Sequence, residues 1–167
     1  YAAAIKAADP AAQVAGPADM TQEELCLEQT ASKAIGLRDP AQWTALMQAL
    51  PTYLDADGLA AYFPPRDGDG PTGSDRLTAY LVGAAQESGM PIPEPALGSM
   101  LQGLAAFVQG RIERRTWAPR NDLEVRKLAA LAALARHGRA DPRMLGSILQ
   151  PCRISRDSSR CSSSARK

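Results

Sequence analysis

Between Pro93 and Arg115, the residues Leu97, Met100, Leu101, Leu104, Phe107, Val108 and Ile112 recur at intervals of three and four positions. A β-strand cannot present that set on one face, because its side chains alternate with a period of two. The stretch therefore predicts a helix over residues 93–115 with the stripe packed inward as core. Shorter signals of the same kind punctuate the rest of the chain. Thr21-Gln22-Glu23-Glu24 reads as a capping box with Thr21 as N-cap. It opens a helix through Leu25, Ala31 or Ser32, and Ile35 to Gly36. Asp39-Pro40 is an Asp cap with Pro at the first helical position. Trp43, Leu46, Met47 and Leu50 then fall at i, i+3, i+4 and i+7 before Pro51. Ser74 caps a third helix with Leu77, Tyr80, Leu81 and Ala84 inward and Gly89 just past its end. Asn121-Asp122-Leu123-Glu124 opens a fifth, through Leu128, Leu131 and Leu134 to His137-Gly138, and Asp141-Pro142 starts a sixth that barely begins.

Composition supports an all-α chain. Aromatic residues make up only 5% of the 167 positions, with Ala and Leu in their place, which favours helices over a β-sandwich. A chain of this length buries roughly two-thirds of its unfolded surface and needs neither disulfides nor metal for a core. Residues 1–20 read as a loose leader, 21–150 as the helical domain, and 151–167 as a Ser/Arg-rich tail with almost no apolar content to order it. Short Gly/Pro connections join the helices into antiparallel hairpins, the units of bundles, solenoids and α/α toroids. No repeat of tetratricopeptide type supports the solenoid.

Net charge of +1 provides no general attraction to nucleic acid or anionic membrane. No apolar run is long enough to span a bilayer. The Ala-rich opening lacks a basic n-region and is interrupted by Asp9-Pro10, so it is a poor signal peptide. A first residue of Tyr rather than Met reads as a fragment or processed product.

Few residues carry candidate chemistry. Asp55-Ala56-Asp57-Gly58 and Asp67-Gly68-Asp69-Gly70 suggest calcium, yet Arg66 and Thr78 stand where a bidentate Glu would be needed, so turn chemistry explains both runs. Arg111, Arg114, Arg115 and Arg120 cluster around Glu113 and read as a solvated helix end, not a nucleic-acid contact. His137, the single histidine, lies in the last turn of a helix before Gly138, the place of a solvent-exposed cation.

Cys26 and Gln29 are a stronger pair. Side chains three apart on a helix share a face, with Cβ atoms about 5–6 Å apart. A thiolate at Cys26 can reach the Gln29 carboxamide carbon, expel ammonia and leave a thioester, and a helix N-terminus favours the anion. Glutamate at the second position would resist that attack. On spacing alone, a buried structural cysteine, a catalytic nucleophile and half of a covalent link all remain open.

The wider sequence narrows the choice. CLEQTASKAIGLRD, the helix bearing Trp43, LPTYLDADGLAAYFPPRDGD, GSDRLTAYL, GLAAFVQGRIERR and NDLEVRKLAALAAL, in this order from about Leu25 to Ile148, resemble the thioester-containing domain of bacterial alpha-2-macroglobulins. That resemblance implies a toroid of terpenoid cyclase type, of which this chain would cover about half. It implies an internal thioester between Cys26 and Gln29 that captures an amine of an attacking protease after bait cleavage. The expected activity is covalent protease inhibition without turnover: no catalytic residue, no metal and no cofactor. The implied partners are proteases and the rest of the macroglobulin chain, in the periplasm or cell envelope. Two segments differ from the family: TQEEL (21–25) replaces an aromatic–Pro–aromatic run, and a Ser/Arg tail follows Gln150. The competing readings are a helical binding or structural module without a thioester and, last, an enzyme. A cysteine hydrolase would need an oriented histidine beside Cys26, and a cyclase an Asp-rich helix.

Overall fold

The computed structural model describes residues 26–66, 68–114 and 123–149. Among the described residues there are six α-helices: α1 Leu27–Leu37, α2 Pro40–Ala49, α3 Asp75–Ser88, α4 Ala96–Val108, α5 Leu123–Arg136 and α6 Pro142–Leu149. A 3-10 turn, Leu50–Tyr53, continues α2 past Pro51. Among the described residues there is no strand, only an isolated antiparallel bridge between Leu54 and Ala60. The described part of the chain is all-helical. The expected leader (1–20), the Thr21–Glu24 capping box, Asn121 and Asp122 of the second box, and the tail (151–167) lie outside the described residues, whereas Leu123 and Glu124 open α5.

Helix α2 forms where its stripe requires. Asp39 accepts hydrogen bonds from the backbone N–H groups of Ala41 and Gln42, both at 3.0 Å, which satisfies two donors that a helix start leaves without partners. Trp43, Leu46, Met47 and Leu50 are all buried. The Trp43 indole Nε1–H donates to the Pro91 carbonyl at 3.0 Å, so a large apolar group enters the core with its polar edge paired.

Helix α3 starts at Ser74 as the sequence predicts, with Ser74 Oγ accepting from the Leu77 N–H, and ends at Gly89 in the left-handed conformation. Its buried face is rotated from the expected one. Leu77 and Leu81 are inside with Thr78, Val82 and Ala85, whereas Tyr80 is exposed and Ala84 only half-buried. The cause is polar. Thr78 Oγ1 donates to the Ser74 carbonyl at 2.7 Å and accepts the Ala60 N–H at 2.8 Å, so its hydroxyl is fully paired indoors. Tyr80 places its hydroxyl 2.8 Å from that of Ser32 on α1.

The stripe that predicts a helix over 93–115 forms a shorter one, Ala96–Val108. Gly110 takes a positive φ of 74°, and the Arg111 N–H turns back to the Ala106 carbonyl at 2.8 Å, a C-terminal stop that Ile112 disguises by extending the apolar spacing. Met100, Leu104, Phe107 and Val108 are fully buried. Each such side chain contributes about 1.5–3 kcal/mol relative to exposure. Gly103 is required by close approach: a Cβ there would lie 2.5 Å from the Asp57 carbonyl oxygen, so the 54–60 turn sits directly on α4.

Two ion pairs fix the relation of α3 to α5. Arg126 holds Asp75 at their N-terminal ends, with Nε donating to Oδ2 at 2.8 Å and Nη2 to Oδ1. Arg136 holds Glu87 at their C-terminal ends at 2.5 Å. The two helices therefore lie side by side in the same direction. Helix α1 packs on α3, while α4 lies against both α3 and α5. Helix α5 buries Leu131 and Leu134 as expected but leaves Leu128 48% exposed, its inner face passing instead through Arg126, Ala130 and Ala133. Helix α6 is a full two turns rather than a beginning, with Met144 and Ile148 buried and Ser147 Oγ donating to the Val108 carbonyl at 2.8 Å.

Candidate functional site

Cys26 is not inside the first helix but caps it. Its backbone is extended (φ −71°, ψ 163°), its side chain accepts from the Gln29 N–H, and its own N–H donates to Gln29 Oε1 at 3.1 Å. This is a capping box built from Cys and Gln in place of Ser and Glu. The expected start at Thr21 would have put both residues at helical positions. The observed start puts them at N-cap and N3, each bonded to the backbone of the other. Thr30 reinforces the turn, its N–H and its Oγ1 both donating to the Cys26 carbonyl at 3.0 and 3.1 Å.

Leu27, fully buried, anchors this helix start in the core. Its N–H, which no helical carbonyl can reach, donates to the Tyr62 carbonyl at 2.9 Å. The Tyr62-Phe63 bend is thereby held at the first turn, with Phe63 60% exposed. Cys26 is half-buried, not disulfide-bonded, and Gln29 is exposed. A soft nucleophile and a carboxamide thus share one helical turn at the surface, beside two exposed aromatic side chains. Lys33, one turn beyond Gln29 on α1, is exposed as well. The i+4 spacing from Gln29 marks it in the sequence, but only as one lysine among the surface charges.

His137 does not join this site. It follows the last residue of α5, Arg136, and its Nε2 is shielded from solvent without a hydrogen-bond partner. The expectation of a solvent-exposed cation is corrected to a half-buried ring: the chain reverses at Gly138 (φ 65°), with the Arg139 N–H returning to the Leu134 carbonyl at 2.9 Å.

The acidic turn at Asp55–Gly58 and Arg114 come together as one structural clasp, while Arg111 is exposed and bonds Gln109, and Arg115 and Arg120 lie outside the described residues. Asp55 Oδ1 accepts from the N–H groups of Asp57 and Leu59, both at 3.0 Å, and Oδ2 accepts from Gly73 at 2.9 Å. Arg114 Nη2 then bridges Asp55 (2.7 Å) and Asp57 (2.6 Å) while its Nε donates to the Gly73 carbonyl at 2.9 Å. Arg114 is accordingly buried and paired, which overturns its reading as part of a solvated helix end. The helix stops at Val108, and the chain beyond Gly110 is free to turn the guanidinium inward. Every lone pair that Asp55 would offer to calcium is committed to the backbone or to Arg114. Asp67 lies outside the described residues.

Among the described residues, no helix is long and apolar enough to cross a membrane. No family model, no curated protein and no solved structure matches the chain.

Proposed function

We propose that the chain is part of a covalent protease trap of the bacterial alpha-2-macroglobulin type, with Cys26 and Gln29 as its reactive pair. The observation that carries this reading is the reciprocal contact of the two residues across one turn. Cys26 Sγ attacks Gln29 Cδ, the C–N bond breaks, and ammonia leaves a thioester between the two side chains. An amine on an attacking protease then takes the acyl group, and the thiol is released; the link is made once and not turned over. The capping geometry favours closure because it prepays the ordering of both side chains. Helix arrangement supports a toroidal arc: α1, α3 and α5 form one row, with α3 and α5 parallel, and α4 and α6 pack behind them. Partner proteases, the remaining macroglobulin chain and an envelope location belong to the same proposal.

A second reading has a specific observation in its favour. The hydrogen bonds between Cys26 and Gln29 already serve to cap α1, a sufficient role in a helical binding or structural module with no thioester. Intact mass of native protein separates the two. The trap reading expects a species lighter by one ammonia, restored to full mass by Cys26→Ala and by Gln29→Glu. Full mass in untreated wild-type protein would leave the module reading standing alone.

A further inference from the structure

Besides Cys26, α1 carries three hydroxyl or amine nucleophiles within four positions of Gln29: Thr30, Ser32 and Lys33. Thr30 Oγ1 is held by the Cys26 carbonyl at 3.1 Å, and the Ser32 hydroxyl is held 2.8 Å from that of Tyr80. Lys33 is exposed and joins none of the ion pairs formed among the described residues. It stands at i+4 from Gln29 within α1, the spacing at which helical side chains meet, with Cβ atoms about 5–6 Å apart. Helical Cα–Cβ bonds tilt toward the N-terminus, so the lysine stem leans back over the turn that carries Gln29. Gln29 in turn is drawn toward Cys26 by its Oε1 contact.

Building on the thioester reading above, we propose that Lys33 is an internal acceptor that quenches the activated Gln29 by forming a Gln29–Lys33 isopeptide. The free amine of Lys33 attacks Cδ of the thioester, the C–S bond breaks, and Nζ gives up a proton as Sγ leaves and becomes the Cys26 thiol. Across both steps the balance is one carboxamide plus one amine giving one substituted amide and one ammonia; no oxidant, reductant or further reactant enters. The product is a lactam staple across one turn of α1. It disarms the site without water and without a partner, so the lifetime of the reactive state is set by the competition between Lys33 and an incoming amine.

The test uses the full chain, freshly purified, with intact mass, thiol titration and peptide mapping run on the same sample. The expected result is a species lighter by one ammonia whose Cys26 thiol titrates freely, with Gln29 and Lys33 recovered as one cross-linked peptide. Lys33→Arg removes the cross-link and leaves a thiol-blocked species that incorporates methylamine, the methylamine-reactive fraction rising several-fold over wild type. A light species whose thiol is blocked in wild type as fully as in Lys33→Arg overturns the internal acceptor while sustaining the thioester. A free Cys26 thiol at full mass overturns both.

Discussion

Asp75 and Arg126 show how much of this molecule depends on single side chains. Both are buried, and the pair is completed by the Arg114 carbonyl, 3.3 Å from Arg126 Nη2, and by the Phe107 ring, 5.2 Å below the guanidinium carbon. Charges out of water are tolerated only when every donor and acceptor is answered. Asp75→Ala leaves the arginine buried and alone, and is expected to cost about 3–5 kcal/mol in urea unfolding. Replacing both residues with apolar ones of similar volume (Asp75→Leu with Arg126→Met) is expected to recover most of that loss, since no orphaned charge remains. A double variant as unstable as Asp75→Ala would show that the pair stabilises the fold by more than mutual neutralisation. Neither residue stands out in the sequence: Arg126 sits among exposed helix positions and Asp75 reads as an ordinary first-turn acid.

At the scale of the elements, helix starts divide into those written locally and those that need a partner. Asp39 caps α2 with its own carboxylate, so Asp39→Ala should lower stability by about 0.5–2 kcal/mol, measured by thermal melting. Cys26 caps α1 with a thiol, a poor acceptor, and Cys26→Ser should hold or raise the helix content seen by circular dichroism, because a hydroxyl accepts the same N–H more strongly. These contrasts explain what the sequence made legible. Caps at Asp39 and Ser74 and the inward set of α2 follow from spacing and short-range hydrogen bonds alone. The end of α4 at Val108 was hidden by Ile112, which prolongs the apolar period past a glycine stop. The inward turn of Tyr80's neighbour Thr78 was hidden because its partner, the Ala60 N–H, arrives from a distant turn. At the candidate site the Cys26–Gln29 proximity was readable from three-residue spacing. Its form, cap to N3 and braced by the Tyr62 carbonyl, depended on tertiary contact.

Across the whole molecule, the α3–α5 side presents apolar surface to solvent. Val125 is 65% exposed and Leu128 48%, next to a groove of about 290 Å³ lined by Arg76, Ala79, Tyr80, Val125, Arg126 and Ala129. Contiguous apolar exposure of this kind drives association in water. Val125→Glu combined with Leu128→Glu should reduce concentration-dependent light scattering while leaving the thermal midpoint within a few degrees of wild type, since neither side chain is part of the core. Scattering unchanged by both substitutions would place the sticky surface elsewhere.

The bond from the Leu27 amide to the Tyr62 carbonyl has a kinetic consequence. The first amides of a helix ordinarily trade their protons with solvent freely, for lack of an acceptor. At Leu27 exchange instead requires the 62–63 bend to lift from α1, so the protection factor of that one proton measures how often the bend opens. Deuterium uptake at Leu27 should be slow, and it should quicken in parallel with reagent access to the Cys26 sulfur.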